Sequence, residues 1–410
     1  MSTHANAAAA GPSADIESTY AWLRLAIALV VGTIGSIGMW SFVVALPAVQ
    51  SSFGVARGEA SLPFTLTMIG FGLGGMVMGR FADRRGIAAP AACGALMLGG
   101  GYVLSGLSAN IWQFAAAHAL LGFGSSATFG PLMSDISHWF LRRRGIAVAV
   151  ASCGNYLAGT LWPPVIQHFI ASDGWRATHI AIGLLCIATM LPLILPLRRP
   201  TPRAPATETV AGGAHGSLGV SPTTLMVLLC IAAVGCCVAM AMPQVHIVAY
   251  CGDLGYGPAR GAEMLAAMMG FGIISRIGCG FLADRIGSLQ TLLAGSALQG
   301  LALFLYLWFD GLVSLYVISA LFGLFQGGIV PMYAIIVREQ FSPSETGVRL
   351  GVVLMASLLG MALGGWMSGA IFDLTGSYRV AFLNGLAWNV LNGGIVLWLL
   401  LRPGRRFAQA

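Results

Sequence analysis

The sequence predicts an all-α membrane protein of twelve transmembrane helices, arranged as two pseudo-symmetric six-helix bundles. Three observations support this fold class. Of the 410 residues, 57% are hydrophobic and only 9% are charged. Apolar runs long enough to cross a bilayer recur along the whole chain. A set of motifs in the first half of the chain also returns about 200 residues later.

Twelve segments meet the length criterion for a transmembrane helix, which is roughly 20 mainly apolar residues. Helices are expected because a backbone inside lipid must satisfy its own hydrogen bonds. The first 19 residues lack the basic-then-apolar layout of a cleavable signal peptide, so we expect the first segment to be retained. The predicted spans are 22–49, 62–80, 88–107, 111–134, 145–170, 177–196, 223–250, 261–281, 288–308, 312–338, 346–371 and 378–401.

A polar interruption between the sixth and seventh spans divides the chain into two halves. It is rich in Pro, Gly, Ala and Thr, a composition that predicts a flexible linker. The predicted organisation is an N-terminal tail at 1–21, a first bundle at 22–197, the linker at 198–222, a second bundle at 223–402 and a C-terminal tail at 403–410.

All 21 basic residues are arginine, and their distribution predicts the orientation of the chain. With the N-terminus in the cytoplasm, sixteen arginines lie on the cytoplasmic side, four lie outside, and Arg276 lies in the membrane. This positive-inside asymmetry predicts a multi-pass protein of the plasma or inner membrane with both termini cytoplasmic. Because the charge is spread over loops, we expect the lipid bilayer and no nucleic acid as a partner. We also expect a monomer with no disulfide and no metal site.

The two halves share a loop motif after corresponding spans. "GRFADRRG" at 79–86 follows the second span, and "GFLADRIG" at 280–287 follows the eighth. Gly-Phe-Gly precedes each loop, at 70–72 and at 270–272. Recurrence in the same direction predicts two parallel copies of a six-helix unit, and related folds bind their substrate between such repeats.

These two loops resemble the signature loop of the major facilitator superfamily, and the similarity covers about residues 20–402. Three further stretches, "SRIGCGFLADRIG", "HWFLRRRGIAVAVASCGNYLAG" and "GAIFDLTGSYRVAF", resemble the monocarboxylate porter and oxalate/formate antiporter group. The resemblance implies the major facilitator fold and transport by alternating access.

Charged residues at the predicted cytoplasmic ends of the spans are candidate gate elements. Acids at these ends can cap a neighbouring helix and pair with arginine across the gap between helices, which would bias one open state against the other. The alternative is a plain positive-inside turn. The gating candidates are Asp83, Arg84, Arg85, Asp284, Arg285 and Asp135.

Arg276 is the principal candidate for substrate binding. It precedes Gly280 by four residues, which places it roughly 6 Å further into the membrane. A charge at that depth costs at least ~2.5 kcal/mol and should face the interior with a partner. Gly272 and Gly280, one helical turn away on either side, offer no acid. The parallel N–H groups of the guanidinium, which we call the fork, are therefore available to a ligand carboxylate. The alternative is snorkelling or bonding to helix-end carbonyls. The family resemblance implies that this arginine binds the substrate carboxylate.

Other polar or aromatic residues inside the spans are candidate cavity-lining groups, with helix-to-helix hydrogen bonding as the alternative. Proton-coupled animal members of the resembled family carry an acid where Gly272 stands and a lysine in the first helix, and this chain has neither. The remaining proton-coupling candidates are His246, whose reference pKa of about 6.5 suits the task, and Glu263. The substrate-binding candidates besides Arg276 are Asn155, Tyr156, Gln326, Tyr333, Trp40 and His246.

The sequence contains no P-loop, no metal-ligand cluster and no nucleophile beside a base in a span, so neither an enzyme nor a cofactor is expected. The expected function is secondary active transport of small monocarboxylates such as lactate, pyruvate or similar 2-oxo and 2-hydroxy acids. A single central cation favours a monoanion, and proton symport is one open coupling mode. The alternatives are exchange of another organic anion of the oxalate/formate type, drug efflux, and a carboxylate sensor that does not transport.

Overall fold

The computed structural model describes residues 16–201 and 220–402, and the backbone of these two ranges is helical without a β-strand. The predicted all-α membrane fold class is therefore confirmed. The predicted tails and linker fall in part on residues 1–15, 202–219 and 403–410, which lie outside the described residues.

The helices follow the predicted spans closely, with ends that differ by five residues or fewer. Side-chain oxygens of Ser18, Asn110 and Ser221 accept backbone N–H groups where three of the helices begin. The bounds are α1 Thr19–Gly35, α2 Ile37–Phe53, α3 Arg57–Arg85, α4 Ala88–Gly106, α5 Ile111–Ser126, α6 Gly130–Trp139, α7 Arg144–Ser152, α8 Gly154–Ile194, a 3₁₀ turn Leu195–Arg198, α9 Pro222–Asp253, α10 Pro258–Ile286, α11 Ser288–Trp308, α12 Leu312–Gln326, α13 Ile329–Gln340, α14 Pro343–Thr375 and α15 Tyr378–Leu401.

Ten segments of the described chain are individually long and apolar enough to cross a membrane. Two features account for the difference from twelve. Inside α8, Gly174 has φ 81° and ψ 159°, so the chain turns there, between the fifth and sixth predicted spans. The fourth predicted span is divided between α5 and α6, neither of which is long enough alone. The count of twelve stays a prediction that these features support.

Four of the predicted spans contain an interruption of the helix. The interruptions lie at Ser36, at residues 127–129, at Cys153 and at residues 327–328. Irregular backbone at membrane depth is tolerated only where protein covers it or where it lines a water-filled cavity. The breaks therefore identify parts of the chain that face the interior of the bundle.

Glycines bring equivalent helices of the two halves into backbone contact. In the first half, a Cβ on Gly122 of α5 would lie 2.0 Å from the carbonyl oxygen of Thr67 in α3. In the second half, a Cβ on Gly323 of α12 would lie 2.0 Å from the carbonyl oxygen of Met268 in α10. Each residue of the second pair follows its counterpart in the first pair by 201 residues, so the internal repeat seen in the sequence is also a repeat of packing.

The bundle has two ends, which we name by the chain segments found there. The termini face carries the first turn of α1 and the last turn of α15, and the distal face carries the α2–α3 and α14–α15 connections. The two halves of the chain, 19–198 and 222–401, meet near the distal face. There α3 of the first half lies against α14 of the second, and the Thr65 hydroxyl donates to the carbonyl oxygen of Ala362 at 3.0 Å.

Toward the termini face the same two helices separate. The residues of α3 that approach α14 recur every seven positions: a Cβ on Gly58 would lie 3.2 Å from the Cα of Ala370, and one on Gly72 2.7 Å from the Sδ of Met355. At the next position of this stripe, Gly79, a Cβ would meet nothing within 4 Å. The described molecule is therefore closed at the distal face and open toward the termini face.

Candidate functional site

Arg276 lies on α10 at the boundary between the two halves. Its guanidinium carbon is 4.5 Å from the ring centroid of Tyr156, which belongs to α8 of the other half. Its Nε is buried without a hydrogen-bond partner, and no carboxylate of the described ranges forms an ion pair with it. Within residues 16–201 and 220–402 the guanidinium is thus left without a carboxylate, and its role in binding stays a prediction. A half-buried cation in this state has its hydrogen-bonding capacity available to a ligand.

Tyr156 fills the space left by a glycine next to Arg276. A Cβ on Gly272, one helical turn before Arg276, would lie 2.4 Å from Cε1 of the Tyr156 ring. The Tyr156 hydroxyl donates to the carbonyl oxygen of Gly327 at 3.4 Å, at the break between α12 and α13. The ring is thus held by both α10 and α12 of the opposite half.

Trp40 and Asn155 form the wall beside Tyr156. The Trp40 indole N–H donates to both the backbone oxygen of Asn155, at 3.1 Å, and its side-chain oxygen, at 2.9 Å. A Cβ on Gly159, one turn further along α8, would touch Trp40 and Met269. The structure therefore brings together four of the seven predicted substrate-binding residues: Arg276, Tyr156, Asn155 and Trp40.

Gln326 and Tyr333 have different surroundings. Gln326 ends α12 beside the break at Gly327, and its buried side-chain amide has no partner for either polar atom among the described residues. Tyr333 is fully buried and donates to Asn392 at 2.7 Å, and Asn392 in turn donates to Ser296. That network lies within the second half and holds α11, α13 and α15 together.

His246 lies near the distal face, away from Arg276. Its Nε2 is 2.8 Å from the carbonyl oxygen of Gly365, which can only accept, so Nε2 carries the hydrogen. Its Nδ1 therefore accepts from the hydroxyl of Tyr378, at 2.9 Å. Both ring nitrogens are bonded inside the protein, which leaves neither free for a substrate or a further proton in this state.

A charged cluster at the distal face joins the two halves, and sequence reasoning missed it. The guanidinium of Arg57, on α3, makes a two-pronged ion pair with Asp253 at the end of α9 and donates to the Tyr378 hydroxyl at 3.1 Å. The guanidinium carbon of Arg57 also lies 4.2 Å from the ring centroid of Phe372. We call Arg57, Asp253, Asp373 and Tyr378 the distal latch.

The fourth member of the distal latch caps a helix of the other half. Asp373 on α14 accepts the backbone N–H groups of Arg57, at 2.8 Å, and Gly58, at 2.6 Å. These are orphan donors of the first turn of α3, where a negative charge also complements the helix dipole. The available signal in the sequence was the presence of isolated acids, Asp253 and Asp373, near the ends of two predicted spans, but nothing in the spacing indicated which residues would meet.

The family model of the Major Facilitator Superfamily matches residues 28–318 and 264–409, which together cover most of the chain. The chain belongs to the Major Facilitator Superfamily. Within this superfamily it resembles the monocarboxylate transporters. Monocarboxylate transporter 13 of Bos taurus is 25% identical over 381 residues, covering 91% of this chain and 86% of that protein. Monocarboxylate transporter 11 of Homo sapiens is 29% identical over 332 residues, covering 74% of this chain and 66% of that protein.

Solved structures of major facilitator proteins share the fold. A bacterial homologue of the human lysosomal transporter Spinster, in an inward-facing and occupied conformation, matches with a TM-score of 0.78. The match covers 94% of this chain and 98% of that chain at 14% sequence identity. At this identity the likeness shows the fold alone.

The two signature loops of the superfamily lie on the open termini face of this chain. Their charged residues are exposed and, within residues 16–201 and 220–402, form no hydrogen bond or ion pair. An open gate is expected to have no bonds between its loops, so this placement is compatible with the predicted gating role. That role stays a prediction. The residues are Asp83, Arg84, Arg85, Asp284 and Arg285.

Asp135 is placed inside the first half of this major facilitator chain, not across the two halves. Arg24 of α1 donates to both its carboxylate oxygens at 2.8 Å, and both side chains are almost fully buried. Arg24 further donates to Tyr20 and to the backbone oxygens of Leu197 and Arg199. These bonds of Arg24 hold α1, α6 and the 3₁₀ turn together at the termini face. The Asp135 carboxylate is therefore engaged in an ion pair within the first half.

Glu263, the second proton-coupling candidate, lies in the second turn of α10 near the distal face. It accepts from Arg260 at 3.0 Å and from the hydroxyl of Tyr316. All three residues belong to the second half, and the side chains of Arg260 and Glu263 are 53% and 43% exposed.

Among the described residues, no three His, Cys, Asp or Glu side chains are arranged to hold a metal ion.

Proposed function

We propose that this major facilitator protein is a secondary active transporter that carries small monocarboxylates, such as lactate, pyruvate or similar 2-oxo and 2-hydroxy acids, by alternating access. The observation that carries the proposal is Arg276, a cation at the boundary of the two halves with a buried Nε and no acidic partner in the described protein. The resemblance to monocarboxylate transporters 13 and 11 supports the same substrate class.

The chemistry of Arg276 favours a carboxylate ligand over other solutes. A guanidinium presents parallel N–H groups that match the two oxygens of a carboxylate, and such charge-assisted bonds are roughly twice as strong as neutral ones. Because Arg276 is a single unpaired cation, binding one monoanion leaves the site neutral, whereas a dianion would leave an uncompensated charge. Asn155, through its amide N–H groups, and Gln326 are the polar groups proposed to contact the rest of the substrate, and the Trp40 ring is part of the wall beside them.

The closed distal face and open termini face correspond to one of the two end states of alternating access. We propose that the termini face is cytoplasmic, as the arginine distribution indicates, so that this state is inward-open. The distal latch then holds the outer gate shut. In the opposite state, in which the two halves meet at the termini face, Asp83 and Asp284 would form the inner gate with their neighbouring arginines.

The fate of the proton is the open part of the proposal. His246 is enclosed by its bonds to Tyr378 and Gly365, so we assign it to the support of the latch and not to substrate contact. A proton could ride on the substrate itself, or reach His246 when the latch opens. Exchange of organic anions without a proton is the second candidate function, and it is favoured by Gly272, which leaves no acid one turn from Arg276.

A binding panel on the purified protein tests the site without requiring transport. A ligand that binds only the folded state stabilises it by RT ln(1 + [L]/Kd), so the melting temperature rises with the logarithm of the ligand concentration once that concentration exceeds Kd. We expect pyruvate and lactate to stabilise the wild type, oxalate to act more weakly, and organic cations to have no effect. Arg276→Lys should lose the stabilisation. Equal stabilisation by organic cations, or stabilisation unchanged in Arg276→Lys, would contradict the proposed site.

A further inference from the structure

The orientation of Arg276 is set by an aromatic ring of the opposite half. Within the described ranges its guanidinium makes no hydrogen bond and no ion pair, and its carbon lies 4.5 Å from the centroid of the Tyr156 ring. A long side chain without such a neighbour would sample many rotamers, and fixing it costs about 2 kcal/mol of entropy. The stack on Tyr156 therefore selects where the guanidinium lies before any ligand arrives.

The ring itself is fixed at two points. Its edge rests against the bare backbone of Gly272, where a Cβ would come within 2.4 Å and 2.8 Å of two ring carbons. Its hydroxyl reaches the carbonyl oxygen of Gly327, whose usual helical partner, the N–H four residues on, is missing because residue 331 is proline. A Cβ on Gly327 would itself lie 2.4 Å from the carbonyl oxygen of Gly272, so α10 and α12 touch at the point where the ring is held.

We propose that Tyr156 is a positioning residue for Arg276, and that Gly272 determines specificity by leaving room for the ring. This inference rests on the proposed function. The ring covers one face of the guanidinium and leaves the N–H groups at its edge, so a carboxylate is received in the plane of the fork. A neutral ring also leaves the positive charge of Arg276 intact, which an acid at position 272 would cancel.

The first test separates the ring from its hydroxyl. Tyr156→Phe keeps the stack and loses only a long hydrogen bond, whereas Tyr156→Leu removes the stack. For uptake of radiolabelled pyruvate into proteoliposomes, we expect Tyr156→Leu to raise KM by roughly tenfold while Vmax changes less, since the strength of a cation–π contact at a half-buried site lies between the exposed and the desolvated limits. Tyr156→Phe should remain within about twofold of the wild type on the same grounds.

The second test uses two glycines on the same helix. Gly272→Ala pushes a methyl group into the Tyr156 ring, whereas at Gly270 a Cβ would lie 3.5 Å from Thr160, an ordinary contact distance. We expect Gly272→Ala to raise KM for pyruvate and Gly270→Ala to leave it unchanged. This pair also serves if Tyr156→Leu fails to fold, which size-exclusion chromatography and melting temperature would reveal.

A double-mutant cycle with Arg276→Lys decides whether Tyr156 acts through the guanidinium. Lysine has no planar fork to orient, so adding Tyr156→Leu to Arg276→Lys should cause little further loss. Additive losses, or a KM of Tyr156→Leu equal to that of the wild type, would overturn the inference while leaving the proposed function standing. If the wild type neither binds nor transports pyruvate or any other monocarboxylate, the proposed function fails and the inference fails with it.

Discussion

At the scale of single residues, an unpaired arginine and a paired one show how burial decides the role of a charge. Arg24 is fully buried, yet Asp135, Tyr20 and two backbone oxygens accept its N–H groups. Arg276 is half-buried and has no comparable set among the described residues. Removing water from a charge is costly unless bonds replace it. The first arginine is therefore a structural element, and the second is suited to an exchangeable ligand.

Arg276→Lys tests the role of the fork. The variant keeps the positive charge but loses the parallel N–H groups that match a carboxylate and the planar surface that stacks on Tyr156. We expect it to lose most monocarboxylate transport, measured as initial uptake at equal membrane abundance. Arg260→Lys, on the same helix but 53% exposed on its side chain near the distal face, is the control and should transport normally. Uptake like that of the wild type in Arg276→Lys would remove Arg276 from the site.

Asp135→Asn tests the structural role of the buried pair. Breaking one partner of a buried ion pair leaves an uncompensated charge, which typically costs about 3–5 kcal/mol of stability. We expect a marked drop in the melting temperature of the purified protein. Asp83→Asn makes the same chemical change at an exposed position of the same face and should leave the melting temperature nearly unchanged. Similar melting temperatures for the two variants would show that the Arg24–Asp135 bond contributes little.

At the scale of helices, α3 and α14 touch each other near the distal face and separate toward the termini face. Backbone groups of α3 are capped by Asp373 at the distal face, and the seven-residue stripe of contacts ends before Gly79. The proposed alternating access requires two states that lie within a few kcal/mol of each other. Under that proposal, charges at each end would bias the equilibrium in opposite directions.

Asp253→Asn and Asp284→Asn form a matched pair for this equilibrium. The first weakens the distal latch and should populate the state open at the distal face, whereas the second weakens closure of the termini face. For a partly exposed pair such as Arg57–Asp253 we expect a shift of about threefold to tenfold. Spin labels on the exposed residues Ala56 and Ala259 report the separation of the distal ends. If both variants shift the distance distribution in the same direction, or neither does, the assignment of two opposed gates is wrong.

At the scale of the whole molecule, the positions of the helices could be predicted from the sequence, but the contacts between them could not. Length and hydropathy located α3, α9 and α15 to within five residues because each helix satisfies its own backbone. The lack of an acid one helical turn from Arg276 was also visible, since the positions four residues before and after it are Gly272 and Gly280. Local patterns were sufficient for both predictions.

Contacts between distant parts of the chain were beyond the reach of local patterns. Arg57 and Asp253 are 196 residues apart, and Arg24 and Asp135 are 111 residues apart, so spacing along one helix gave no information on either pair. His246 and Tyr333 were predicted to contact substrate because they are polar residues in apolar helices. The structure places both in bonded networks of the second half, and a sequence alone does not say which face of a packed helix meets a partner.

Charge balance predicts how uptake responds to a pH gradient. Moving a carboxylate inward against an inside-negative potential costs about 2.3 kcal/mol per 100 mV, and a co-transported proton cancels that charge. We expect uptake into vesicles to be faster with an acidic exterior when the membrane potential is clamped. Equal rates with and without the gradient would reject proton symport and leave uniport or anion exchange.

The most direct test of the account is counterflow with the wild-type protein in proteoliposomes. Vesicles loaded with unlabelled pyruvate and diluted into a trace of radiolabelled pyruvate should accumulate label transiently. External lactate and other monocarboxylates should abolish the accumulation, dicarboxylates should compete weakly, and organic cations should not compete. A protein that binds pyruvate without accumulating label would be a sensor, and one whose counterflow is blocked by organic cations but not by lactate would be a carrier of another class. Either result would contradict a monocarboxylate carrier built around Arg276.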